Sequence, residues 1–120
     1  MTTVTIAKKF DFDAAHFLPL VEDGHKCKRM HGHTYVVEVI CAGPLDHRGM
    51  VLDYAEIAAA WKSLDALLDH RVLNEVPGLE NPTTEVLAPW IVERLAPLIR
   101  QLVAVRVYES STTYCESRRG

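Results

Sequence analysis

The sequence predicts an α+β fold in the order ββααββ, an antiparallel sheet with two helices packed on one face. Three observations predict it. Apolar alternation and β-branched runs occupy both ends of the chain, two stretches of helical apolar spacing lie between them, and turn-forming residues divide the pieces. Val4 to Ala15 reads as the first strand, with Val4 and Ile6 followed by Phe10, Phe12 and Ala14. Lys8 and Lys9 interrupt the alternation, where a bulge would fit. Phe17 to Met30 follows neither period and carries Pro19, Gly24 and several charges, so it reads as a loop. Thr34 to Cys41 (TYVVEVIC) is the clearest strand, dense in β-branched residues and free of breakers.

A helix is expected from Tyr54 to Leu68. Asp53 suits its N-cap, and Glu56 three residues on completes a capping box. Ile57, Trp61, Leu64 and Leu68 then form one apolar stripe. Arg71 to Pro82 reads as a turn region, with Pro77, Gly78 and Asn81–Pro82 as breakers. Thr83 or Thr84 caps a second helix whose stripe runs through Val86 or Leu87, Trp90, Ile91, Leu95 and Leu98, with Pro89 expected to kink it. Leu102 to Tyr108 and Thr113 to Arg118 complete the sheet. Such a sheet has two edges and an uncovered face to manage, and self-association is the natural remedy.

Several function classes fall away on composition. The 120 residues fit one domain, 1–120, without a second autonomous core. The formal net charge of −3 offers no footprint for nucleic acid. No apolar run is long enough to span a membrane, and the first ten residues lack the apolar stretch of a secretory signal. Three cysteines, Cys27, Cys41 and Cys115, cannot close into a disulfide framework, so a cytoplasmic setting is expected.

The chemistry concentrates in a few places. His31 and His33 stand two apart at the mouth of a strand and share a face, and His16 ends the strand before it. Three imidazoles without an obvious fourth ligand match a catalytic zinc with an open position, although His-Gly-His also suits a plain turn. Cys27 is flanked by Lys26, Lys28 and Arg29, cations that favour a thiolate and so a nucleophile or base. It could equally be a fourth zinc ligand through Cys27-x-x-x-His31, while Cys41 and Cys115 read as packing residues. Asp69–His70 reads either as a helix C-terminus with a favourable histidine or as a carboxylate orienting a proton-carrying imidazole. Glu109 closes a strand of valines. Exposure at the strand end would explain it, and so would two parallel bonds to a ligand with adjacent N–H donors. His25 and His47 read as surface residues.

Together, FDAAHFLP, DGHKCKRMHGH, GMVLDYAEI, LDHRVLNEVPGLENPTTEVLA and the glutamate of VYES resemble the 6-pyruvoyltetrahydropterin synthase family, in particular its bacterial 6-carboxy-5,6,7,8-tetrahydropterin synthase branch. The resemblance covers Phe10 to about Arg118. It implies a tunnelling fold, with ββααββ protomers joined into barrels and a homohexamer built as a dimer of trimers. It implies Zn2+ on His16, His31 and His33, Cys27 as proton acceptor, His70 with Asp69 as a relay, and Glu109 as anchor of the pterin ring and partner of that relay. Thr83, Thr84 and Glu85 would lie near the pterin, although capping explains them too. Lys26, Lys28 and Arg29 are candidates for steering a triphosphate on charge alone. The implied reaction takes 7,8-dihydroneopterin triphosphate to 6-carboxytetrahydropterin, acetaldehyde and triphosphate, feeding 7-deazapurine (queuosine) biosynthesis. Two rivals remain: a 6-pyruvoyl synthase that eliminates triphosphate without C–C cleavage, and a non-catalytic zinc module closed by Cys27.

Overall fold

The computed structural model describes residues 2–120. Strand β1 (Val4–His16) pairs antiparallel with β2 (His31–Gly43) along its whole length, from Val4 opposite Gly43 to His16 opposite His31. Helix α1 (Tyr54–Leu68) follows, then a two-residue strand β3 (Arg71–Val72), helix α2 (Thr84–Leu95), and the antiparallel pair β4 (Leu102–Ser110) and β5 (Thr113–Arg118). The sheet order is β3-β1-β2-β4-β5. All neighbours are antiparallel except β3, which runs parallel to β1.

Register explains the core. Alternate side chains of a strand share a face, so Phe12 faces Tyr35 and Val37 faces Val107 on the same side of the sheet. Ile57, Trp61, Leu64 and Leu68 of α1 and Leu87, Ile91 and Leu95 of α2 are buried against that side. Phe10 stacks on Trp61 at 5.3 Å between ring centroids, and Phe12 on Tyr35 at 5.0 Å. The opposite face is polar. Tyr108 donates to Glu38 at 2.9 Å and Arg106 pairs with Glu116 at 2.7 Å.

Both helix starts follow their caps. Asp53 and Glu56 form the full capping box of α1, and the Thr83 hydroxyl accepts from the Val86 amide to start α2. Helix α2 runs unbroken through Pro89, whose missing N–H costs one backbone bond.

Four expectations need correction. There is no bulge at Lys8–Lys9, because Lys8 pairs with Val39 and Lys9 with Glu38 in continuous register. Lys8 keeps the alternation by placing its ammonium over the Phe10 ring, 5.5 Å from the centroid. Irregularities fall instead between Ile40 and Cys41 and between Tyr108 and Ser110. The turn region contains β3, too short for a period to show and held by what precedes it, since the His70 amide donates to the Asp13 carbonyl. Strand β2 begins at His31, three residues before the β-branched run. Leu98 lies past the end of α2 and is 57% exposed, while Ile99 is buried.

Two backbone edges stay open. Beyond Ala14 and Ala15 the outer edge of β1 has no partner strand among the described residues, and β5 ends the sheet on the other side.

A candidate metal centre and a separate acid–base pair

His16 and His31 are cross-strand partners, and His33 lies opposite Ala14. The period of two puts all three imidazoles on the helix-bearing face, with ring centroids 4.6, 5.0 and 4.9 Å apart. One nitrogen from each lies within 4.8 Å of the others.

Their hydrogen bonds assign the tautomers. His16 Nδ1 lies 2.9 Å from the Pro82 carbonyl and His31 Nδ1 lies 2.7 Å from the Arg29 carbonyl. A carbonyl oxygen only accepts, so each Nδ1 carries its proton and donates. The two Nε2 atoms are left as lone pairs facing each other at 3.1 Å. Two acceptors at that distance repel unless a cation sits between them. Burial holds the His16 pKa below its ordinary value, which disfavours a proton on His16 itself. His33 Nε2 is buried without a hydrogen-bond partner, and the nearest acid, Glu109 Oε1, stands 3.5 Å away, too far for a good bond. One ring nitrogen from each of the three imidazoles thus converges on a common point. Metal–nitrogen bonds of about 2.0–2.1 Å in tetrahedral array would set neighbouring nitrogens roughly 3.3 Å apart. The residues fit a metal ion.

Cys27 is not in that group, so the closed four-ligand site is not formed. It lies in a short 3-10 turn, Lys26–Lys28, where its amide donates to His25 Nδ1 at 3.0 Å and its carbonyl accepts from Leu18. Of the neighbouring cations, Lys28 already pairs with Asp23 at 2.7 Å. Thr83 caps α2, and the Thr84 hydroxyl donates to Glu85 at 2.9 Å. Pro82, just before that cap, carries the carbonyl that holds His16.

Asp69 and His70 form the second arrangement. Asp69 caps α1 at its C-terminus, and His70 follows with φ of 58°, a left-handed conformation that histidine adopts more readily than bulkier residues. The pair grips one residue of β1 from both sides: the Asp13 amide donates to Asp69 Oδ1 at 3.0 Å, and the His70 amide donates to the Asp13 carbonyl at 2.6 Å. His70 Nδ1 lies 2.9 Å from Asp69 Oδ2. That hydrogen bond raises the His70 pKa, and the bond from the Asp13 amide lowers that of Asp69. The His70 ring opens onto a cleft of about 530 Å³ shared with Asp13, Thr34 and Arg71. The side chains of Asp13 and Thr34 point to the face opposite His16 and His33. Within one chain, then, the histidine centre meets Glu109, His33 also borders the cleft onto which His70 opens, and Cys27 lines neither that cleft nor the ligand group.

Sequence reasoning missed four contributors. Pro82 was visible only as a breaker, although its carbonyl needs no particular side chain. Asn74 bonds both ways with the Phe17 backbone and so fixes the chain just after His16. Asp13 offers its backbone to Asp69 and His70, and its carboxylate accepts from Thr34. Tyr35 lies beside the His16 ring. The only available signal was the alternation that puts Tyr35 on the face of His33.

Comparison with known proteins bears on the family and the fold. Residues 5–120 match the family model described as 6-pyruvoyl tetrahydropterin synthase. A Synechocystis protein named 6-carboxy-5,6,7,8-tetrahydropterin synthase is 39% identical over 118 residues, spanning 90% of this chain and 88% of its own. The dihydroneopterin monophosphate aldolase of Pyrococcus furiosus is 37% identical over 90 residues, 75% of this chain and 73% of its own. The structure of Caenorhabditis elegans 6-pyruvoyl tetrahydropterin synthase superposes with a TM-score of 0.91 at 27% identity, covering 100% of this chain and 98% of that one.

Proposed function

Because the chain belongs to the 6-pyruvoyl tetrahydropterin synthase family, we propose that it is a zinc-dependent carbon–carbon lyase of pterin biosynthesis. Its substrate is 7,8-dihydroneopterin triphosphate, and with water it releases 6-carboxy-5,6,7,8-tetrahydropterin, acetaldehyde and triphosphate. The observation that carries the reading is the convergence of ring nitrogens of His16, His31 and His33 beside the Glu109 carboxylate, in a chain akin to a synthase of that name. The rival non-catalytic zinc module loses its fourth ligand, since Cys27 stands outside the group.

The residues divide the work. Zn2+ on the three histidines supplies Lewis acidity to the substrate's side-chain hydroxyls. Glu109 accepts two parallel N–H bonds from the aminopyrimidinone ring, which fixes the side chain over the centre. Cys27 takes a proton from the side-chain carbon, and His70, held and made more basic by Asp69, serves the relay. Thr83, Thr84 and Glu85 edge the pterin pocket, and Lys26 draws in the triphosphate.

Neither Cys27 nor His70 belongs to the ligand group, and in this reading a second copy completes the site. The open edges of β1 and β5 support ring closure by strand pairing, in a homohexamer of two trimers. The chain works as one domain in the cytoplasm, on the route to 7-deazapurines such as queuosine.

Product analysis tests the reading. Metal-replete protein given the triphosphate substrate should yield 6-carboxytetrahydropterin and acetaldehyde in equal amounts by mass spectrometry. A pyruvoyl product without acetaldehyde, or turnover confined to the monophosphate, overturns it.

A further inference from the structure

Tyr35 is 1% exposed and stacked on Phe12, a place where a phenyl ring alone would pack. Burying a hydroxyl there costs free energy that a phenylalanine in the same place would not incur. Its oxygen lies 3.1 Å from His16 Nδ1 and 3.5 Å from His16 Nε2. No point at those two distances lies in the imidazole plane. On one side it would collide with Cε1, and on the other with Cγ and Cδ2. The hydroxyl therefore stands over the face of the ring, in keeping with the 88° between the Tyr35 and His16 planes. It is no in-plane acceptor for Nδ1–H, which belongs to the Pro82 carbonyl at 2.9 Å.

That division of labour matters for aim. A single hydrogen bond to Pro82 fixes one corner of the ring and leaves it free to pivot about the bond. Such a pivot would carry Nε2 away from the point where the ring nitrogens of His31 and His33 converge. An oxygen pressed on the ring face blocks it. The Tyr35 ring also packs edgewise on His33, with centroids 5.5 Å apart and planes at 72°, so one buried side chain braces two of the three imidazoles. We propose that Tyr35 is a positioning residue for the three-histidine centre, its hydroxyl setting the tilt of His16. The inference rests on the reading that these histidines hold a metal.

Tyr35→Phe removes the oxygen and keeps the ring on Phe12. Zinc affinity, measured by competition with a chromophoric chelator, should fall about ten-fold or more, the scale of loss for outer residues that orient ligands. The visible absorption of the cobalt(II)-loaded variant should shift in position or intensity, while the metal-free proteins melt together. Wild-type affinity together with a wild-type cobalt spectrum in Tyr35→Phe overturns the inference and leaves the metal reading intact. Wild-type protein that takes up neither zinc nor cobalt overturns both.

Discussion

Stripping the metal should lower thermal stability by an amount the geometry allows to be worked out. The centre joins the end of β1 to the start of β2, and through Pro82 it engages the segment leading into α2. None of that convergence survives unfolding, so metal binds the folded chain and not the unfolded one. At free metal a hundred-fold above Kd, linkage then contributes about 2.7 kcal/mol. Unfolding entropy of about 2.1 cal/mol/K per residue gives roughly 0.25 kcal/mol/K for a chain of this length. The quotient is a rise in Tm of about 10 °C. The assay is melting by circular dichroism of chelator-treated protein, with and without added zinc. His33→Ala supplies the control, because the partly exposed His33 side chain leaves little cavity behind while one of three ligands is lost. That variant should lose most of the shift. A wild-type Tm indifferent to zinc, or an undiminished shift in His33→Ala, would refute the assignment of these histidines as ligands.

Three further outcomes are expected. Cys27→Ala should keep its full zinc content by atomic absorption and lose turnover by at least a hundred-fold, in the range of an acid–base group; loss of metal instead would restore Cys27 as a ligand. Asp69→Asn should bring the His70 pKa down toward its ordinary 6.5 in an NMR titration, because the hydrogen bond that His70 donates to Asp69 is the main cause of its rise. The same bond links stability to pH. Its contribution is complete below the ordinary histidine value and fades as pH climbs through the raised one, so the wild type should lose its advantage over Asp69→Asn across that alkaline window. A titration unmoved by the substitution contradicts the pairing. Asp53→Ala breaks the capping box of α1 and should cost about 1 kcal/mol by urea denaturation, with product formation per folded enzyme unchanged.

Much of the fold was legible because its signals are local. Caps and apolar stripes placed α1 at its observed bounds, and β-branched runs found β2 and β4. What escaped was set by contacts distant in sequence. The two residues of β3 pair with Ala14 and Ala15 because Asp69 and His70 bind Asp13 across 56 and 57 positions of chain, which no window can reveal. Leu98 obeyed the helical spacing, but α2 had already ended at Leu95. Within the site, residue type and spacing pointed to the three histidines, while the role expected of the Asp69–His70 pair rested on the family resemblance. The carbonyls of Arg29 and Pro82 were invisible, since a backbone oxygen leaves no mark on composition.

The run Phe12-Asp13-Ala14-Ala15-His16 shows how one strand serves both arrangements. Phe12, Ala14 and His16 face the helices: the first stacks on Tyr35, the third is a candidate ligand, and the methyl of Ala14 leaves room for His33 directly across the ladder. Asp13 and Ala15 face the other way, onto the cleft where the His70 ring is exposed. A slip of one residue would send His16 into that cleft and Asp13 into the apolar core. Such a slip is resisted twice, by the burial of Phe12 on one face and by the two-sided grip of Asp69 and His70 on the Asp13 backbone. The grip that holds His70 in its left-handed conformation therefore also holds His16 in register with His31. A substitution that loosens Asp69 reaches the metal centre through the strand, without touching a ligand.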